Sequence, residues 1–225
     1  FEYGDWITSL LTGREVRSGA YLTCKSLWTR ETGYPAGPLF DPLTAKLAFH
    51  GGTAPVIAWP GQRAGTLDPA MARSLGLSPE TAVSAPQMDG YAGLPGSGAA
   101  EAGVLVMMLG TSNSYMLLDR ADRRIPGICA SVPDSILPGF TGHAAGQASA
   151  GDILQWFVEN CVPAACERAA AAQGLNLHEY LTALAARRAP GESGLLALDW
   201  WNGNKSVLNN AGLSGLLLGM TLTTG

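Results

Sequence analysis

The sequence predicts an α/β fold, and three observations point to it. Two short apolar runs, Val104 to Leu109 and onward from Tyr115, are parted by Gly110-Thr111-Ser112 and read as a β-hairpin with a polar tip. Ile153, Trp156, Phe157, Asn160 and Cys161 recur at helical spacing, so a mostly apolar helix face is expected in the core. Helix start and stop signals stand between such segments: Asp41 and Asp68 each precede a proline, and Gly13 and Gly76 follow helix-like stretches. At 225 residues, with 47% hydrophobic and 14% charged residues and 29 glycines, the chain can bury a sizeable core and make many tight turns.

Taken in order, Asp5 to Leu11 reads as a short amphipathic helix stopped by Gly13. Ser18 to Trp28 is a small-residue segment whose single cation, Lys25, reads on its own as a solvated surface lysine. Asp41 to Phe49 is expected to form a helix, and Gly51 to Thr66 a turn-rich connection around a short strand, Pro55 to Trp59. Asp68-Pro69 opens another helix that ends before Gly76. The chain turns polar at Ser78-Pro79-Glu80, the best place for a boundary, before a strand expected to carry Asp89. After the hairpin come a charged turn, Ala121 to Arg124, and a proline-bearing stretch of strands and loop, Ile125 to Gly142.

Gly146 to Asp152 then opens a helix from Ile153 to about Cys161. Its Gly-rich start either offers free N–H groups to an anion or marks a close packing contact at Gly151. Pro163 kinks or restarts the helix, an Ala-rich stretch follows to Gly174, and Asn176 with Glu179 has capping-box spacing. Gly194 to Trp201 is a near-continuous apolar strand, expected to be buried on both faces. A polar loop, Asn202 to Asn210, leads to an apolar stretch from Leu213 to Leu222.

Charge and composition exclude several functions. A formal net charge of −4, a pI near 5.3 and the lack of a basic stripe argue against nucleic acid as partner. No apolar run approaches the ~18 residues of a membrane span, and the first residues lack the basic region and cleavage site of a signal peptide. Cys24, Cys129, Cys161 and Cys166 have neither CxxC spacing nor a histidine pattern, so buried thiols in a reducing cytoplasm are expected, and no metal site. His50, His143 and His178 are scattered, which suits structural histidines. No GxSxG occurs, Gly203-Asn204-Lys205-Ser206 lacks the second glycine of a P-loop, and Gly96-Ser97-Gly98 lacks the later glycine of a dinucleotide fingerprint.

What remains is the stretch around Asp89 and the hairpin tip. Asp89 is the only acid between Glu80 and Glu101, and Gly90, Ala92 and Gly93 leave space beside it. The tip offers amide N–H groups and two hydroxyl donors where Gly110 lets the backbone come close. A carboxylate to take a hydroxyl proton and a cradle for phosphate are what phosphoryl transfer needs. A plain hairpin accounts equally well for the tip alone.

Longer motifs decide between these readings. DWITSLLTG, CKSLW, MDGYAG, MLGTS, IPGICASVPDSILPG, AGQASAGDILQWF, and GESGLLALDWWNGNKSVL with LSGLLLGMTL together resemble the FGGY carbohydrate kinases, and within them the ribulokinases. The resemblance covers nearly the whole chain. It implies an actin/hexokinase-like pair of RNase H-type α/β domains, ATP with Mg²⁺ as cofactors, and a ketopentose or related polyol as substrate in the cytoplasm, and it leaves a homodimer open. It also implies roles: Asp89 as general base, Lys25 as a sugar-binding lysine, Gly110, Thr111 and Ser112 on the nucleotide phosphates, and Gly151 and Gln155 lining the nucleotide site. Residues 1–79 then read as the end of the first, sugar-binding domain, and residues 80–225 as the first part of the second, nucleotide-binding domain.

Three departures qualify the resemblance. Ala144, in GHAAGQ, stands where ribulokinases carry a sugar-contacting Glu in GYEAGQ. Asp89-Gly90-Tyr91-Ala92-Gly93 replaces DAHAG, and Ser114-Tyr115-Met116 replaces the CHM that follows GTS. The family's opening DxGT motif is expected upstream and its Gly-rich adenosine segment downstream, so the chain resembles the middle of such an enzyme. A non-catalytic, actin-like sugar- or nucleotide-binding protein is the competing reading.

Overall fold

A computed structural model describes residues 2–34, 37, 56–222 and 224. The helix expected from Asp41 to Phe49, and His50, lie outside the described residues. The chain divides into two compact units. The first comprises Phe1–Val106, Tyr115–Ile125 and Ala130–Ala144; the second comprises Met107–Ser114, Pro126–Cys129 and Ala145–Gly225.

The first unit begins with α1 (Tyr3–Thr12), which ends where Gly13 takes a left-handed φ of 67°. Next come β1 (Val16–Ser18) and α2 (Gly19–Lys25), so the small-residue segment around Lys25 is largely helix. β2 (Val56–Ala58) pairs in parallel with β1, Val16 opposite Val56. β3 (Arg63–Thr66) was not foreseen, because RAGT carries no alternation; it pairs antiparallel with β4 (Ala82–Ser84). Between these strands lies α3 (Pro69–Leu75). The Asp68 carboxylate accepts from the amides of Ala70 and Met71 at 2.8 and 3.2 Å, with Pro69 in the first turn. Among the described residues, Val16, Ala58, Ala64 and Ala85 form one apolar cluster, and Leu67, Ala72 and Val83, with Leu11 and Met71 against them, form another. Asp5 is buried with them, its carboxylate accepting the Ser18 amide at 2.8 Å and lying 3.7 Å from Arg17.

Asp89 opens a helix, α4 (Asp89–Gly96), and not the strand expected for it. The lead-in to Asp89 contains Pro86 and no β-branched residue after Val83, so β4 stops early and the Gly- and Ala-rich stretch coils. The hairpin is present as β5 (Leu105–Leu109) and β6 (Asn113–Asp119), joined by three residues, a link too short for a parallel crossover. β7 (Ala130–Pro133) and β8 (Thr141–Gln147) complete a four-stranded sheet of order β5-β6-β8-β7. β7 and β8 run antiparallel, with Ala130 opposite Ala144 and Ser131 opposite His143. β8 reads TGHAAGQ, and its small side chains hid it in the sequence. They are what buries it: a Cβ on Gly146 would stand 2.7 Å from the Asn113 carbonyl oxygen.

The second unit continues with α5 (Gly151–Cys161), α6 (Ala164–Ala172) and α7 (Leu177–Ala185). The capping box at the start of α7 is complete: Asn176 accepts the Glu179 amide and Glu179 accepts the Asn176 amide, both at 2.9 Å. Two expectations about the core are overturned. No residue of α5 is buried, and Trp156 and Phe157 are each 44% exposed. Helical spacing specifies an apolar face, but the described residues cover this one only in part, with the Trp201 ring centre 5.1 Å from that of Trp156. The strand foreseen near Gly194 to Trp201 is the three-residue β9 (Leu196–Leu198), antiparallel to β10 (Leu216–Leu218), and all six residues are exposed because a two-stranded ribbon covers edges and not faces. The cysteines are free thiols, yet Cys129 and Cys161 are exposed instead of buried.

Candidate functional site

Asp89 is exposed at the first position of α4, where a carboxylate is favoured by the free amides of the helix start. One carboxylate oxygen accepts the adjacent Gly90 amide at 2.7 Å, which leaves acceptor capacity facing solvent. α4 is tied to α2 through Cys24, whose Sγ lies 3.8 Å from the Tyr91 hydroxyl. Lys25 ends α2, next to Cys24. Its ammonium donates to the Glu2 carboxylate at 2.9 Å and sits 5.4 Å from the centre of the Tyr21 ring, one helix turn back. That hydrogen bond pushes the Lys25 pKa up, so the group stays cationic, with donors beyond the one spent on Glu2.

Tyr21 and Glu2 were not singled out in the sequence. Tyr21 is buried, and burial raises its pKa, helped by the negative charges of Asp5, Glu2 and Asp89 and opposed by Lys25. Burial likewise pushes the Cys24 thiol and the Asp5 carboxyl up. The only signal that could have found Tyr21 was its i, i+4 spacing to Lys25 on a segment that had not been read as helical.

Ala144 is half-buried on β8 and contributes no polar atom beyond its backbone. Its neighbour His143 is buried. The ring Nδ1 lies 3.0 Å from the Ser131 hydroxyl, and Nε2 lies 3.7 Å from the Asp119 carboxylate. Asp119 accepts from the Ala121 amide and the Arg123 guanidinium, and these bonds hold its carboxyl below the usual carboxylate value.

In the second unit, the tip Gly110-Thr111-Ser112 is exposed, and neither the Thr111 nor the Ser112 hydroxyl is engaged among the described residues. Two backbone bonds clamp it to the start of α5: the Ala150 amide donates to Thr111 O at 2.8 Å, and the Gly151 amide to Gly110 O at 2.9 Å. A Cβ on Gly151 would stand 2.7 Å from that Gly110 oxygen, so only glycine permits the approach. Of the two readings of Gly151, close packing is therefore realised, and its own N–H is spent on Gly110. Gln155 is exposed on α5, bonded to Glu159 at 2.5 Å and to His178 at 3.1 Å. Hydroxyl donors on a loop held rigid from behind can bind an anion without paying to order the loop. An exposed carboxylate on a helix start can accept a proton from a hydroxyl. No cluster of three or more metal-ligating side chains occurs among the described residues, and no described helix is long and apolar enough to cross a membrane.

Comparison with known proteins gives these groups a context. The C-terminal domain of the FGGY family of carbohydrate kinases matches residues 105–225. A ribulokinase of Geobacillus thermodenitrificans is 44% identical over 226 residues, covering 99% of this chain and 40% of the relative. A ribulokinase of Anoxybacillus flavithermus is 43% identical with the same coverage. The chain thus spans about 40% of the length of the curated relatives it matches. Among solved structures, a xylulose kinase from Rhodospirillum rubrum superposes with a TM-score of 0.76 at 22% identity, over 97% of this chain and 41% of that one. That likeness carries the α/β, actin/hexokinase-like fold and not the substrate.

Proposed function

The chain belongs to the FGGY family of carbohydrate kinases, and on that premise we propose that it supplies the proton-accepting and phosphate-holding parts of an ATP-dependent sugar kinase acting on a ketopentose. The observation that carries the reading is the tip at Gly110-Thr111-Ser112: exposed, with two hydroxyls unengaged among the described residues, and clamped by two backbone bonds to the start of α5. In this reading the tip holds nucleotide phosphates and Gly151 keeps it in place. Asp89 accepts the proton of the attacking sugar hydroxyl, and Lys25 donates to the sugar. Mg²⁺ would come with the nucleotide and would neutralise charge on the phosphates that Thr111 and Ser112 hold. Residues 1–79 belong to the sugar-binding domain and residues 80–225 to the nucleotide-binding domain. The names of the relatives at 44% and 43% identity favour ribulose as the sugar, while Ala144 favours an altered preference.

Asp89→Asn in the full-length gene product tests the centre of this reading. The amide keeps the size and its oxygen can still accept from the Gly90 amide, but it cannot serve as a base. Turnover should fall about 10²–10⁴-fold, the range for general-base catalysis, with nucleotide affinity unchanged by calorimetry. Near-normal kcat would leave Asp89 a structural residue.

A further inference from the structure

The first unit carries a groove that the kinase reading does not use. It encloses about 450 Å³ and is lined by Thr12, Arg14, Arg63, Gly65 and Thr66. Arg14 follows the Gly13 that ends α1, and its guanidinium donates to Ala64 O on β3. Arg63 opens β3, and its Nε donates to Gly65 O at 3.2 Å. The two arginines therefore grip successive carbonyls of one strand and share one groove. Pairing of β3 with β4 slips register between Arg63 and Gly65, a bulge of the kind that re-aims a side chain. Gly65 keeps the approach open: a Cβ there would stand 3.0 Å from Thr12 Cγ2 and 3.3 Å from Arg14 Nη2.

These two guanidiniums lack a counter-charge. Neither makes an ion pair among the described residues, whereas Arg17, Arg30, Arg123 and Arg188 each do. No carboxylate of the described residues lines the groove. Glu15 and Asp68 line the adjoining cavity with Arg14, but both are engaged. Glu15 pairs with Arg17 at 3.0 Å, and Asp68 caps α3 through the Ala70 and Met71 amides. Each guanidinium spends one nitrogen on a backbone carbonyl, which fixes its plane and leaves further N–H donors. Arg63 keeps both terminal nitrogens, a fork that fits paired oxygens. The Thr66 hydroxyl has no hydrogen bond among the described residues and adds a donor, whereas that of Thr12 is spent on Thr8 O at 2.8 Å. Because the chain carries a formal net charge of −4, an anion here answers to this local donor set and not to the overall field. Two positive charges, a hydroxyl donor and no carboxylate suit a phosphate dianion. The volume lies within the range of small-molecule sites, so an organic group fits beside the phosphate.

We propose that this groove is a binding site for a phosphate dianion, held by Arg14 and Arg63 with a further bond from Thr66, and separate from the tip at Gly110-Thr111-Ser112. The dianion is either inorganic phosphate or a phosphorylated small molecule. Calorimetry of the full-length gene product tests this, with saturating ADP and Mg²⁺ to fill the nucleotide site. A salt concentration of about 0.15 M screens loose surface attraction. Inorganic phosphate and, separately, glycerol 2-phosphate are the titrants, and a saturable component is expected with at least one. Arg63→Gln, at an exposed position, should weaken it about ten-fold or more, as for loss of a hydrogen bond between charged groups, and so should Arg14→Gln. Arg63→Lys keeps the charge but not the fork, and should restore the affinity only in part. Thr111→Ala should leave the component unchanged, and Arg63→Gln should leave kcat unchanged, so failure of the kinase reading and failure of this one are separable. Tighter binding of glycerol 2-phosphate identifies a site for a phosphorylated small molecule, and equal or tighter binding of inorganic phosphate a site for the free ion. A component absent with both titrants, or unaltered in either glutamine variant, overturns the proposal.

Discussion

Replacing Gly151 by alanine probes the clamp behind the phosphate tip with a single methyl group. The added Cβ would stand 2.7 Å from the Gly110 oxygen, 3.3 Å from the Gly110 carbonyl carbon and 3.5 Å from the Thr111 Cα, all backbone atoms that cannot swing aside. The chain has two ways to respond. If the contact is kept under strain, the cost is that of overpacking, about 1–3 kcal/mol. If α5 retreats, the Ala150 and Gly151 bonds to the tip are lost, at about 0.5–1.5 kcal/mol each. Alanine returns up to about 1 kcal/mol as the better helix former. The net loss is therefore between about 0 and 3 kcal/mol by either route, and the tip moves or loosens. Gly96 at the end of α4 is the matched control: a Cβ there meets nothing within 4 Å. Urea unfolding of both variants, with calorimetry for ADP, reads the two consequences. Gly151→Ala should be destabilised and bind ADP more weakly, while Gly96→Ala matches the wild type or exceeds it. Wild-type stability and ADP affinity in Gly151→Ala would refute the clamp.

Ala144→Glu in the full-length gene product should improve use of L-ribulose. A carboxylate accepting a sugar hydroxyl contributes about 1.5–3 kcal/mol, roughly ten- to hundred-fold in kcat/KM, and steady-state kinetics showing no gain would remove Ala144 as a determinant of preference. Asp119 predicts an acid response. Its folded carboxyl is held below the ordinary value by the Ala121 amide and Arg123, so the stability it contributes is present above that ordinary value and is lost as pH falls through the lowered one. Thermal midpoints measured from neutral pH down to about pH 3, below the ordinary Asp value, should decline more steeply for the wild type than for Asp119→Asn. Asp5, whose burial raises its pKa and so acts in the opposite direction, is common to both proteins and cancels. Parallel declines would show that the Asp119 bonds contribute nothing to acid stability.

Local signals were legible wherever one residue type suffices for a geometry. Asp68-Pro69 started α3, Gly13 and Gly76 stopped helices in left-handed conformations, Asn176 and Glu179 closed a capping box, and Gly110-Thr111-Ser112 turned a hairpin. These depend on backbone dihedrals and on hydrogen bonds within a few residues, so the chain itself specifies them. Family membership was legible too, because long motifs carry far more information than periodicity does. What lies outside any one segment was decided by tertiary structure. TGHAAGQ became a strand because neighbours leave no room for larger side chains, and the Asp89 segment became a helix start once β4 had ended. Apolar spacing on α5 and β9 announced faces but could not say what covers them, since burial depends on elements distant in sequence. The same holds for the site: Asp89, Lys25 and the tip could be named from motifs, whereas the Glu2–Lys25 pair, Tyr21 beneath it and the carbonyl that requires Gly151 to be glycine exist only where separate segments meet.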